Sequence, residues 1–221
     1  VEMVNIVVRT IQSTGVNSII VVTPIDSSEI EDSITETVDF VEQPIPLGTG
    51  DALSKAATKL CNNFPTTLVL MADTPLILPE TIKELINTHI SSKAAITLLT
   101  STLLNPDGLG RIVRNNDGKV IKIVEHDVAS NTTKLINEIN AGVYCFDSNW
   151  LKESITSLKP SPKGEILLTD LVQIAVENQL EIQTVSSKTK QEALGVNNPT
   201  QLAEAELAMM IQSRYPSIVE N

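Results

Sequence analysis

TTLVLMADTPL, residues 66–76, decides how the chain is read. Six β-branched or apolar residues run into Ala72-Asp73, and Thr74-Pro75 then ends the run, because proline lacks the N–H that a strand interior needs. The pattern predicts a buried parallel strand with the Asp73 carboxylate at its carboxyl end. In open α/β sheets ligands settle in the crevice at those ends, where an acid can hold a hard cation that carries phosphate. The same residues read equally well as a turn capped by Asp73 ahead of a helix starting near Pro79, since aspartate is a common turn residue.

Upstream, Val1, Val4, Val7, Val8 and Ile11 recur at helical spacing, and Gly15 stands where a left-handed residue ends a helix. SIIVVT (18–23) reads as a strand closed by Pro24, residues 27–35 as a polar helix and residues 37–41 as a shorter strand. This β, α, β rhythm predicts parallel strands with right-handed crossovers. In EQPIPLGTGDA (42–52), Gly48-Thr49-Gly50 opens onto a helix over 51–60 with Ala52, Leu53, Ala56, Ala57 and Leu60 facing inward. Glycines there let backbone approach a ligand where the helix start offers unpaired N–H groups. A short GTG is also an ordinary turn, and that reading stays open.

Downstream, residues 79–91 form an amphipathic helix with Pro79 in its first turn and Ile82, Leu85, Ile86 and His89 along one side. His89 reads as a structural or surface residue rather than a ligand. After a strand over 94–101, the stretches 110–114 and 119–125 flank Asn115-Asn116-Asp117-Gly118, a hairpin signal, and EINAGVYCF (138–146) supplies a further strand. A mixed sheet with a β-rich insertion over one side of the crevice follows. Helices over 149–158, 169–178 and 200–213, a strand over 181–185 and a loosely held tail from 215 to 221 complete the chain.

The 221 residues suffice for one substantial core, and no linker-like composition divides them. With 16 basic against 27 acidic residues the net charge is -11, which repels nucleic-acid backbones and anionic membranes at long range. A nucleotide arriving with a divalent cation is compatible with that field. Cys61 and Cys145 sit in apolar surroundings, so reduced buried thiols and a cytoplasmic location are expected. No apolar run is long enough to span a bilayer.

Taken in order, LGTGDA, LVLMADTPLI, GLGRIVR, KIVEHDVAS, EINAGVYCF and EALGVNNPTQL resemble the uridylyltransferase domain of bacterial bifunctional N-acetylglucosamine-1-phosphate uridylyltransferase/glucosamine-1-phosphate acetyltransferase, within the wider nucleotide-sugar pyrophosphorylases. The resemblance implies an α/β, Rossmann-like nucleotidyltransferase (GT-A-like) fold with a mixed, mostly parallel sheet flanked by helices and a β-rich sugar-binding insertion. It implies that Gln43, Gly48 and Thr49 bind the nucleotide base, and that Gly110, Glu125, Asn140 and Thr169 hold the sugar. Asp73 and Asn197 correspond to the catalytic metal ligands for Mg²⁺, two oxygen donors that suit an octahedral ion completed by waters and phosphate oxygens. The implied reaction joins UTP to N-acetylglucosamine 1-phosphate, giving UDP-N-acetylglucosamine and pyrophosphate. His126 falls in a matching segment as a loop-orienting residue, because an attacking phosphate is already anionic and needs no general base.

Departures from the pattern set further expectations. The family's glycine-rich triphosphate loop, the strand before it and the lysine after it do not precede Val1, so the chain reads as a single nucleotidyltransferase domain, 1–221, that is N-terminally incomplete. The family's hexapeptide-repeat acetyltransferase half does not follow Asn221, and a monomer or weak oligomer is expected, since trimers of the family form largely through that half. The family's Tyr-Gly before the metal aspartate is Met71-Ala72, and its Gly-Glu-Tyr-Tyr-hydrophobic-Thr-Asp motif is GEILLTD, residues 164–170. These changes leave open a related enzyme with another sugar or base, or a catalytically silent nucleotide-sugar binding module.

Overall fold

The computed structural model describes residues 2–60 and 64–214. The elements in chain order are α1 (Met3–Ser13), β1 (Ile20–Pro24), α2 (Ser28–Ser33), β2 (Asp39–Gln43), α3 (Thr49–Ala57), β3 (Thr66–Val69), α4 (Pro79–Ser92), β4 (Ile96–Thr102), β5 (Arg111–Arg114), β6 (Val120–Val124), α5 (Asn131–Lys134), β7 (Glu138–Asp147), α6 (Ser148–Ser154), α7 (Asp170–Glu177), β8 (Ile182–Ser186) and α8 (Pro199–Arg214). Cys61 and the tail 215–221 lie outside the described residues.

The early βαβ rhythm is realised as a parallel pair, β1 with β2, on which α3 packs. The larger sheet has the order β6-β5-β7-β4-β8, with β3 added on β7. Its parallel pair is β4 with β8, while β7 runs antiparallel to β3, β4 and β5. Helices cover both faces, as the mixed α/β reading requires. One face gathers Leu98, Tyr144, Phe146, Leu171 and Val172, and the other Leu99, Ile139, Val143, Cys145, Ile82 and Leu85. Cys145 is fully buried, and burial pushes its thiol up to about 12, an inert packing residue. His89 is likewise buried, with Nδ1 3.0 Å from the Thr97 hydroxyl.

The expected direction of β3 is corrected. Residues 66–69 pair antiparallel with β7 and are half-buried, not fully buried. An apolar run reports that a segment enters a sheet; its direction is set by a partner far along the chain, here residues 144–147. The hairpin forms where its turn residues predict. Gly118 N–H donates to Asn115 O at 3.0 Å, and Asn115 Oδ1 accepts from the N–H groups of Asp117 and Lys119.

What positions the site is a fork along β7. Its residues 138–146 pair with β4 on one edge. On the other edge β5 meets its beginning at Ile139 and β3 meets its end from Tyr144 onward, leaving residues 141–143 between two prongs. At the same place the ladder with β4 is irregular. Leu98 faces Tyr144 and Thr100 faces Asn140, so residues 141–143 all stand against the single residue Leu99. Gly142, at φ +74°, absorbs the turn of this bulge, the kind of irregularity that re-aims side chains beside functional sites. One core residue stands apart: Arg111 is fully buried, its Nη1 donates to Leu109 O, and its Nε and Nη2 have no partner among the described residues.

Candidate functional site

β3 runs toward the beginning of β7, so the residues that leave it, Leu70 to Asp73, enter the fork. The strand ends because Thr74 turns the chain, its N–H and hydroxyl both donating to Met71 O. Thr74 therefore makes the turn, and α4 begins at a Leu78 cap without any bond from the Asp73 side chain. A carbon built on the Gly195 Cα would lie 3.0 Å from Asp73 Oδ2 and 3.4 Å from Asn197 Nδ2, so both side chains converge on one point. Val196 N–H donates to Asp73 O at 2.8 Å and stitches the two loops together. Glu192, fully buried, accepts from Leu78 N–H at 3.3 Å and Thr189 N–H at 2.8 Å, tying the segment before Gly195 to the start of α4.

Burial raises the Asp73 carboxyl above its ordinary range, opposed only by a backbone hydrogen bond. An acid destabilised as its anion and facing an amide is a donor set that a divalent ion would complete. The residues therefore fit Mg²⁺, provided the Asn197 amide turns to present its oxygen instead of its nitrogen. Among the described residues no three or more His, Cys, Asp or Glu side chains cluster so as to hold a metal ion.

Across the fork sit Gly110, Glu125, Asn140 and Thr169. Thr169 Oγ1 donates to Glu125 Oε1 at 2.8 Å, and Glu125 Oε2 lies 3.2 Å from where a Gly110 Cβ would stand. Asn140 N–H donates to Gly110 O at 2.9 Å, and Asn140 Oδ1 accepts from Gly142 N–H at 3.1 Å. Tyr144, 1% exposed, lies beneath them. Burial raises its hydroxyl pKa, the Asn140 hydrogen bond opposes that shift, and the Glu125 charge reinforces it. Met71 Cγ is 3.3 Å from the place of a Gly142 Cβ, so the Asp73 loop touches the bulge that carries Asn140.

The third part is the turn before α3. Gln43 Nε2 donates to Gly48 O at 3.1 Å and to Asp51 Oδ2 at 2.7 Å. The close approach that Gly48 permits is made to protein: its φ is +110°, and an added Cβ would stand 2.6 Å from Ile166 O. Gly50 N–H donates to Ile166 O, Ile166 N–H to Leu47 O, and Leu168 N–H to the Thr49 hydroxyl. Residues 166–169 thus join the Gly48–Gly50 turn at one end to Glu125 at the other.

Asp51, Tyr144 and Glu192 are the side chains of this region that the sequence did not single out. A signal existed only for Asp51, an acid in the first turn of a helix directly after the glycines. A cavity of about 700 Å³ opens beside Gly195, between Leu76, Gln191 and Leu194 and residues Gln201, Ala205 and Ala208 of α8. Gln43, Glu125 and Asn140 do not line it.

The family model described as nucleotidyl transferase matches residues 1–192. The bifunctional protein GlmU of Acetivibrio thermocellus is 37% identical over 215 residues, covering 97% of this chain and 46% of its own length. The protein of the same name from Shouchella clausii is 40% identical over 184 residues, 83% of this chain and 40% of its own, and that of Clostridioides difficile is 36% identical over 209 residues, 94% and 45%. The chain therefore spans less than half the length of these relatives. With the match covering residues 1–192 and the mixed sheet flanked by helices beneath it, this chain belongs to the nucleotidyl transferase family.

Proposed function

We propose that this domain is a Mg²⁺-dependent nucleotidyltransferase that forms UDP-N-acetylglucosamine and pyrophosphate from UTP and N-acetylglucosamine 1-phosphate. The observation that carries the reading is the joining of three parts around the β7 fork. Residues 166–169 link the Gly48–Gly50 turn to Glu125, and Met71 links the Asp73 loop to the bulge beside Asn140. Gln43, Gly48 and Thr49 receive the base; Gly110, Glu125, Asn140 and Thr169 receive the sugar.

An oxygen of the sugar phosphate attacks the α-phosphorus of UTP, the α–β P–O bond breaks, and pyrophosphate leaves with the electron pair. No proton need be removed from the nucleophile, so the protein's work is alignment and charge stabilisation. Asp73 and Asn197 would hold the metal ion, which supplies Lewis-acid neutralisation of the phosphate charge when bound. Thr169 fixes Glu125, and the Gly142 N–H fixes Asn140, so that carboxylate and amide meet the sugar hydroxyls and acetamido group in set orientations.

The test is pyrophosphate release by the full-length protein with UTP and N-acetylglucosamine 1-phosphate, set against other nucleoside triphosphates and sugar phosphates. Glu125→Ala and Thr169→Val are expected to raise KM for the sugar phosphate by about 10- to 100-fold while leaving KM for UTP nearly unchanged, since each removes a hydrogen bond on the sugar side only. A specific observation favours a second reading in which the sugar differs: Ile166 and Leu167 stand in the GEILLTD segment beside Thr169 and bring no hydroxyl to it. Faster turnover with a different sugar phosphate would establish that reading, and UTP binding without turnover of any pair would make the domain a binding module.

A further inference from the structure

Gln43 closes β2 and Asp51 lies in the first turn of α3, and the amide between them has no freedom to turn over. A primary amide carries two N–H donors on nitrogen and an acceptor oxygen. Gln43 Nε2 directs its donors to Gly48 O at 3.1 Å and Asp51 Oδ2 at 2.7 Å. The first partner is a backbone carbonyl and can only accept. The second is a carboxylate, 4% exposed, whose other oxygen lies 3.1 Å from Lys55 Nζ. Burial works against its ionisation, yet the hydrogen bonds from Gln43 and Lys55 outweigh burial and hold the carboxyl below its ordinary range. With both partners acceptors, nitrogen must face them, and turning the amide over would set oxygen against oxygen. What remains to face outward is Oε1, to which no hydrogen bond is donated by the described residues.

We propose that Asp51 is a specificity-determining residue acting through Gln43: by fixing that amide it makes the Gln43 side chain offer an acceptor alone, which selects a base with an N–H between two carbonyls, as in uracil, and rejects cytosine, whose ring nitrogen there is itself an acceptor. The inference rests on reading Gln43, Gly48 and Thr49 as the base turn. Asp51 does not touch the base; it is a positioning residue.

The experiment compares kcat/KM for UTP and CTP in the full-length protein and in Asp51→Asn. Asparagine can donate where aspartate could not, so its N–H is able to meet Gln43 Oε1, and the reversed amide, now opposed by the Gly48 carbonyl alone, competes with the present one. The UTP-over-CTP ratio is expected to fall by about tenfold or more, through a higher KM for UTP and a lower one for CTP, with kcat for UTP little changed. A general loss of structure would instead lower both substrates together. Lys55→Met, at a half-exposed position, withdraws the cation that helps Gln43 hold the Asp51 carboxyl below its ordinary range and is expected to reduce the ratio less; it carries the test if Asp51→Asn does not fold. A parent that uses UTP no better than CTP defeats the reading of the base turn, and this inference with it. A parent that prefers UTP, with a folded variant showing the same ratio, overturns the role of Asp51 alone.

Discussion

Replacing Asp73 with asparagine is expected to lower kcat/KM for pyrophosphate release by about two to three orders of magnitude and to leave the fold intact. The size follows from removing one charged group that balances phosphate charge in the transition state, where single preorganised contacts are worth this much. The same substitution has the opposite effect on stability. Burial raises the Asp73 carboxyl, so the folded protein holds that proton more tightly than the unfolded chain does. The stability associated with that group is complete below its unfolded pKa and is lost as pH rises through the folded one. At neutral pH in chelator the parent therefore carries a strained anion that Asp73→Asn lacks, and the variant melts at the same temperature or higher. Added Mg²⁺ is expected to raise the melting temperature of the parent and to leave the variant unmoved. Equal turnover in parent and variant, or equal stabilisation of both by Mg²⁺, would remove Asp73 from the metal role.

Gly48→Ala is expected to cost about 2–4 kcal/mol and to lower Tm by roughly 5–15 °C. Two penalties combine. An alanine there must hold φ near +110°, and its methyl would sit 2.6 Å from Ile166 O and 3.1 Å from Ile166 N, which are backbone atoms and cannot swing aside. The control is Gly15→Ala, where φ is +95° but the added carbon meets nothing within 4 Å; only the conformational penalty applies, about 1 kcal/mol. Because Ile166 belongs to the segment that reaches Thr169, Gly48→Ala is also expected to raise KM for both substrates. Thermal melts with paired KM measurements decide the point. A variant as stable as Gly15→Ala would mean that the 166–169 segment yields easily.

Local codes were legible. Asn115 to Gly118 named its own turn because the bonds that close it are made within it. The run into Asp73 marked a strand followed by a break, and the motifs at 73 and 197 pointed to loops that the structure brings together at Gly195. What stayed hidden depended on partners remote in the chain. Thr49 meets Leu168 across 119 positions and Glu192 meets Leu78 across 114, separations over which periodicity says nothing. The direction of β3 was missed for the same reason. Asp51 and Tyr144 were passed over because their residue types are ordinary in a helix start and a strand; their interest lies in the neighbours that bury them. Arg111 was hidden in plain sight as one of the two arginines of GLGRIVR, with nothing local to say that it turns inward while Arg114 pairs with Glu138.

The two prongs of the fork are measured off a single ruler. Sliding β7 by one residue would carry both the Asp73 approach and the Gly110 approach along by the same step, about 3.3 Å, so their spacing survives an error that would ruin two independently mounted halves. Divergence between the prongs is a different matter: residues 141–143 have neither β3 nor β5 beside them, and the gap there can widen without disturbing the seam between β7 and β4.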